Sequence, residues 1–128
     1  MPARHIISKE LAVLFGVLSH PDRVRIVEEL RRGERDVNSL QELLGVSHSR
    51  TSQNLAVLRL NRIVTERRDG RHVFYRLEQP DLAAWVLEGV RFLEQGAARA
   101  EATRSAIAVV KQIWGESEKP ATKRRRSP

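Results

Sequence analysis

Between Ser47 and Asn61 the chain reads SHSRTSQNLAVLRLN, and its polar residues fall here at spacings that could do chemistry. Thr51, Leu55 and Leu58 recur at i, i+4 and i+7, one face of an α-helix. The opposite face carries His48, Ser49, Ser52, Gln53 and Ala56, all short or polar and none acidic. Side chains of this kind hydrogen-bond base edges and phosphates while letting a helix sit deep in a groove. Gln53 lies one turn after Ser49, where its amide can pair bidentately with adenine, and Arg50 on the flank suits either guanine or a phosphate. Ser47 is placed as the N-cap, its hydroxyl meeting an orphan N–H of the first turn. Only Gly45-Val46-Ser47 separates this helix from the preceding one. Two helices joined by a tight glycine-containing turn, the second with such a face, make the helix-turn-helix pattern. The competing reading is a solvated polar face on an ordinary helix hairpin.

A second group of cations follows. Ile63–Arg68 and His72–Leu77 are short runs rich in β-branched and aromatic residues, joined by Asp69-Gly70. That dipeptide is the strongest short-range hairpin signal. A hairpin directly after a recognition helix is a wing, and Arg62, Arg67, Arg68, Arg71 and Arg76 decorate it. Arg71 at the tip reaches a phosphate or a narrow minor groove. The predicted DNA-contacting set is Ser47, His48, Ser49, Arg50, Ser52, Gln53, Arg59, Arg67, Arg68 and Arg71.

Catalysis has no residue set behind it. The chain has no Cys, hence no disulfide and no thiolate, and no glycine-rich phosphate loop. Its four histidines, His5, His20, His48 and His72, are scattered over different elements. His20 stands before Pro21 and reads as a helix boundary rather than a ligand. The expectation is no enzyme, no cofactor and no metal.

Three blocks, LFGVLSHPDRVRIVEEL, LQELLGVSHSRTSQNLAVLRLNRIV and ERRDGRHVFYRL, resemble the ArsR/SmtB winged-helix repressors in order and spacing. The resemblance covers roughly residues 10–95. It implies a homodimeric bacterial repressor that binds a palindromic operator and often leaves it when an inducer binds. Thr51 stands where the family usually has an apolar residue, and Asn54 where a His is common. A helical Thr can return its hydroxyl to a carbonyl one turn back. Many relatives sense metals or sulfur species through Cys pairs near the helix before the recognition helix; here that region reads Asp36-Val37-Asn38-Ser39-Leu40. Soft-metal, arsenite and persulfide modes need a thiolate and are excluded. Another family site uses acid and His ligands on the last core helix. Asp81 resembles its first ligand, but Ala83 and Glu94 stand where His would be expected.

The elements that must position these residues follow from periodicity. Residues 1–7 are predicted to be flexible. A first helix over Ser8–Leu18 has Leu11, Leu14, Phe15 and Leu18 on one stripe, for a dimer interface by resemblance or for the core by sequence alone. A second over Pro21–Arg32 turns Val24, Val27 and Leu30 inward and stops at Gly33. Asn38-Ser39-Leu40-Gln41 resembles a capping box and opens a third helix over Ser39–Leu44, with Leu40, Leu43 and Leu44 inward. After Gln79-Pro80-Asp81, a continuous stripe of Leu82, Trp85, Val86, Gly89, Val90 and Leu93 reads as another helix. Gly96 either breaks or loosens the run, and Ala102, Ala106, Val109, Val110 and Ile113 continue it. So much apolar surface on a small domain needs a partner. The predicted interface is Leu11, Leu14, Leu18, Leu82, Trp85, Val86 and Leu93, with core packing as the competing use.

The fold class is therefore mostly α with a small β-hairpin, a winged helix-turn-helix with additional C-terminal helices for dimerisation. Its parts are a flexible terminus (1–7), the DNA-binding domain (8–95), a helical extension (96–115) and a disordered basic tail (116–128). In that tail Lys119–Pro128 holds five cations and no acid, suited to non-specific phosphate contact or to plain solvation. The formal charge of +7 suits a polyanion. Only four of the basic residues are Lys, and Arg is the better fork for guanine and phosphate, although GC-rich coding also favours Arg. No apolar run is long enough for a membrane span, and no signal peptide is visible. The expected protein is a cytoplasmic, nucleoid-associated homodimer on double-stranded DNA, with a small-molecule or protein effector left open. The alternative is a protein–protein interaction module that uses the C-terminal helices, with DNA contact secondary.

Overall fold

The computed structural model describes residues 1–94 and 101–118. Gly96 and the Lys119–Pro128 tail lie outside the described residues. The first helix, α1, is Pro2–Val17, so it starts at Pro2 rather than Ser8. Proline suits a first helical position, because its missing N–H would have had no partner there. His20 is extended (φ −132°, ψ 130°), the conformation a following proline favours, and α2 runs over Pro21–Glu29. A single 3₁₀ turn, Leu30–Arg32, carries the chain to Gly33, whose φ of 128° suits glycine.

The inward face of α2 differs in phase from the expected one. Arg23, Ile26, Val27 and Leu30 are buried, while Val24 is only half-buried. These four keep i, i+3, i+4, i+7 spacing, and the charged Arg23 disguises the stripe. Arg35–Asp36 forms a short strand, β1, which sequence patterning missed. It pairs antiparallel with the second strand of the hairpin, giving a three-stranded sheet. Asp36 also caps the next helix, α3 (Val37–Leu44), by accepting from the Ser39 N–H at 3.1 Å. The capping residue is thus Asp36 and not Asn38. Leu40 is buried, but Leu43 is exposed. Gly45, at φ 67°, ends α3 in the left-handed conformation.

The recognition helix, α4, is His48–Leu60, and Ser47 caps it by accepting from the Arg50 N–H at 3.1 Å. Thr51 is fully buried and donates its hydroxyl to the Ser47 carbonyl at 3.0 Å, the back-bond expected of it. The exit of α4 is a Schellman motif: the Ile63 N–H meets the Leu58 carbonyl, and the Arg62 N–H that of Arg59. Its hydrophobic contact is made by Ile63 and Leu58, both core residues. The left-handed residue is Arg62, at φ 58°, where glycine is usual.

The hairpin strands are β2 (Val64–Asp69) and β3 (His72–Leu77), with Asp69 opposite His72, so the loop is Gly70-Arg71. Gly70 has φ 60° and Arg71 a negative φ, the pattern of a II′ turn. One core joins Leu18, the α2 residues, Leu40, Leu55, Leu58, Ile63, Val64, Tyr75, Leu77 and Ala83. Beyond the hairpin, α5 is Asp81–Glu88 and α6 is Val90–Glu94, so the expected continuous helix breaks at Gly89. The last helix, α7, is Glu101–Glu118, longer than the extension expected to end at residue 115. Met1–Leu87 and Glu88–Pro128 are two separate compact units.

Left-handed backbone costs a residue with a Cβ roughly 1–2 kcal/mol, against which glycine's greater chain entropy must be set. Arg62→Gly should therefore stabilise the protein by up to about 1 kcal/mol. Urea unfolding checks this, and an unchanged or lower midpoint contradicts it.

Candidate nucleic-acid interface

One acid, one amide and one buried base contact the recognition helix from α2 or within it. Arg23, only 9% exposed, sends its Nε to the Val17 carbonyl at the end of α1 and its Nη1 to Asn54 Oδ1 at 3.4 Å. Asn54 in turn donates Nδ2 to the Arg50 carbonyl at 3.1 Å. The residue that departs from the common His is thus a link between α2 and α4. Beside it, Asp22 in the first turn of α2 pairs with Arg50, Oδ2 to Nε, at 2.6 Å. Sequence reasoning found neither Asp22 nor Arg23. The signal available was their place just after a helix-opening His-Pro.

The reading face itself is open. Ser47, His48, Ser49, Arg50 and Gln53 are exposed, and Ser52 is half-buried. Between α4 and the wing lies a cleft of about 210 Å³, to which α3 contributes Asn38, α4 His48 and Ser52, and the wing Arg68, Arg71 and His72. The face and the wing tip therefore adjoin one recess, which Asp36 and Glu66 also line and which is smaller than a drug-sized ligand site.

The predicted arginines divide into tied and free. Arg67 forks onto Glu34, with Nε to Oε2 at 3.1 Å, and stacks over the Phe74 ring at 4.5 Å. It fastens the wing to the segment before β1, so its guanidinium is already engaged. Arg59 and Arg68 both face Glu66, at 3.9 and 3.4 Å. Glu66 also accepts from the Tyr75 hydroxyl at 3.0 Å, across a β2–β3 pair. Arg71 has no ion pair with any described residue and stands exposed at the turn. Among the described residues no cluster of His, Cys, Asp or Glu could hold a metal. Asp81 is exposed, and Ala83 is a core residue.

Of the predicted interface residues, Leu18 is buried in its own chain, and Leu14, Leu82 and Val86 are half-buried against that core. Leu11 and Trp85 are exposed, and with Ile6, Ile7, Val13 and Phe15, which lie outside the predicted set, they leave apolar surface open on α1 and α5. Phe15 and Trp85 stack at 5.9 Å although each remains about half exposed. Leu93, in the second unit, is also exposed.

Comparison with known proteins places this architecture. The sequence profile described as "Bacterial regulatory protein, arsR family" matches residues 20–66, from the start of α2 into β2. The biofilm growth-associated repressor of Agrobacterium fabrum is 37% identical over 90 residues, covering 70% of this chain and 76% of that protein. This chain belongs to the ArsR family. Family members of this kind are DNA-binding transcriptional regulators, not enzymes. Among solved structures, the transcriptional repressor BigR from Xylella fastidiosa superposes with a TM-score of 0.64 at 34% identity, over 71% of this chain and 93% of BigR. A homodimeric winged helix-turn-helix DNA-binding domain from Mycobacterium bovis gives 0.63 at 25% identity, over 77% of this chain and 92% of that one. The chain is accordingly a winged helix-turn-helix protein, and no helix among its described residues is long and apolar enough to cross a membrane.

Charge on this ArsR-family wing has a pH consequence. Glu34 is held below the usual carboxylate range by its hydrogen bond from Arg67, and Asp36 by that from Ser39. Glu66 is held down chiefly by the Tyr75 hydroxyl. A carboxyl depressed in the folded state stabilises it fully above its ordinary value, 4.5 for Glu and 3.8 for Asp. That contribution is lost as pH falls through the lower folded value. Thermal melts should therefore be flat from pH 7 down to about pH 5 in these three groups' contribution, then fall. The Glu34→Gln, Glu66→Gln double variant should show a shallower acid limb, and an identical limb would contradict the assignment.

Proposed function

We propose that this protein is a homodimeric, sequence-specific repressor that binds a palindromic operator and whose effector, if it has one, is not a soft metal. The observation that carries this reading is the exposed, acid-free face of α4, set beside a wing whose tip arginine has no ion pair with any described residue. Two such helices, one per protomer, would enter successive major grooves roughly 34–36 Å apart. The dimer would then cover a promoter and block polymerase sterically. Relatives support the repressor reading, since BigR and the Agrobacterium protein are described as repressors. The homodimeric Mycobacterium bovis domain supports a two-fold assembly. Absence of Cys supports the non-thiolate effector. Such a protein works in the cytoplasm, on the nucleoid.

Ser47, His48, Ser49, Arg50, Ser52 and Gln53 form the reading group in this proposal. Arg59, Arg68 and Arg71 contact the backbone, and Arg67 serves by holding the wing. Gln53→Ala should cost about 1–3 kcal/mol on the operator and little on random DNA. Arg71→Ala should weaken both equally and lower the salt slope by about one contact. Titrations against operator and scrambled duplex at several salt concentrations decide this. Equal loss on both duplexes for Gln53→Ala would mean a wrongly oriented helix. No duplex preference at all in the wild type would favour a protein-binding module.

Self-association is tested separately. The open apolar strip on α1 and α5 should be the dimer contact, so Phe15→Asp should shift sedimentation at micromolar concentration from dimer to monomer by burying an unpaired charge. A monomeric wild type would contradict the assembly.

A further inference from the structure

We propose that Asp22 is a specificity-determining positioning residue: it holds Arg50 so that the arginine reads a guanine of the operator rather than a phosphate. The inference rests on the DNA-binding reading above and goes beyond it, because it assigns a base to Arg50 and a role to an acid on a different helix. Arg50 sits in the first turn of α4 with its side chain 61% exposed, yet its inner nitrogen is ion-paired. Asp22 Oδ2 lies 2.6 Å from its Nε, and that carboxylate is only 18% exposed. Asp22 is itself held by the first turn of α2, where the helix dipole favours an anion. The acid is thus set by α2, and the arginine extends from α4.

Three physical consequences point to guanine. Contact through the inner nitrogen leaves the terminal Nη pair as the outward edge, the edge that forks onto guanine O6 and N7. An arginine fixed before binding also loses less rotamer freedom when it makes that fork. Finally, a carboxylate this close repels a fully charged phosphate more strongly than it repels the neutral O6/N7 acceptor edge of guanine. Arg50 is thus poorly placed for backbone contact, in contrast to Arg71, which has no acid paired with it among the described residues. The neighbouring Asn54 bond to the Arg50 carbonyl fixes the backbone from which this side chain extends.

The test begins with a duplex selected from a randomised pool by the wild-type protein, with a scrambled duplex as reference. Arg50→Lys keeps the charge but removes the fork. It should lower the ratio of selected to scrambled affinity on the order of tenfold, with scrambled binding nearly unchanged. Asp22→Asn should lower the ratio comparably by weakening selected binding, while scrambled binding holds or tightens. Combined with Arg50→Lys, it should add little further loss. Repeating the selection with Arg50→Lys should erase preference for one guanine in each half-site. The proposal is overturned if Asp22→Asn tightens both duplexes alike, which would make the acid a plain electrostatic brake. It is equally overturned if Arg50→Lys leaves the selected sequence intact, or if the two losses simply add. Arg50 is exposed, so its substitution leaves the core untouched and the result readable. If the wild type enriches no sequence, the DNA-binding reading falls and this inference with it; enrichment without guanine loss defeats the inference alone.

Discussion

A buried guanidinium holds the reading helix in place. Arg23 lies inside the domain, between the last turn of α1 and the middle of α4. Taking an ion out of water is costly unless its donors are met. Two of the five are met here, Nε by the Val17 carbonyl at the negative end of the α1 dipole and Nη1 by the Asn54 amide oxygen. Neither partner is an acid, so the pairing is directional and depends on three helices being where they are. Leaving either acceptor or the guanidinium unsatisfied would cost about 1–3 kcal/mol. The fully buried Thr51, Leu55 and Leu58 set the rotation of α4 about its axis, and with it which side chains face outward. The polar bridge adds a directional contact to the same register.

That rotation explains how the arginines are used. An arginine-rich chain could spread undirected charge over its surface and bind any polyanion. Instead, Asp22, Glu34 and Glu66 each take one or more of the arginines on α4 and the wing. Exposed pairs such as these contribute little to stability, about 0–1 kcal/mol each. Their effect is geometric: they aim some guanidinium groups and commit Arg67 to structure, while Arg71 keeps its charge for whatever arrives. Pairing also lowers the net field at the face, which restrains non-specific attraction relative to contacts that require a matching surface.

Much of this was legible in the sequence because it is local. The Ser47 cap, the Thr51 back-bond, the polar face of α4 and the hairpin all depend on residues within a turn or two of each other. What was missed depends on partners distant in sequence. Arg23 occupies an inward position that polarity alone assigns to solvent, and only the Val17 and Asn54 acceptors make its burial affordable. β1 is two residues long, too short for an alternation signal, and exists because β3 offers it a ladder edge. Arg62 sits left-handed because the Schellman bonds and the Ile63–Leu58 contact outweigh its own preference. The break at Gly89 lies in a stripe whose spacing is unbroken, so periodicity alone had no means of finding it.

Continuity of α1 gives the apolar strip a mechanical meaning. The same helix presents Ile6, Ile7, Leu11 and Phe15 to the outside and, at its far end, hands a carbonyl to Arg23. Arg23 reaches Asn54, and Asn54 the backbone of the residue that Asp22 holds. A helix is stiff along its axis, so a tilt imposed on α1 by a partner surface is felt at the reading face without any intervening loop to absorb it. In the proposed dimer, the spacing and tilt of two recognition helices would then be set at the α1 strip. An effector would act with least effort there, by binding one α1 arrangement better than another, and its leverage would be bounded by that difference in affinity. Contacts along this chain supply a route, and coupling follows only where the α1 contact has two arrangements that an effector tells apart.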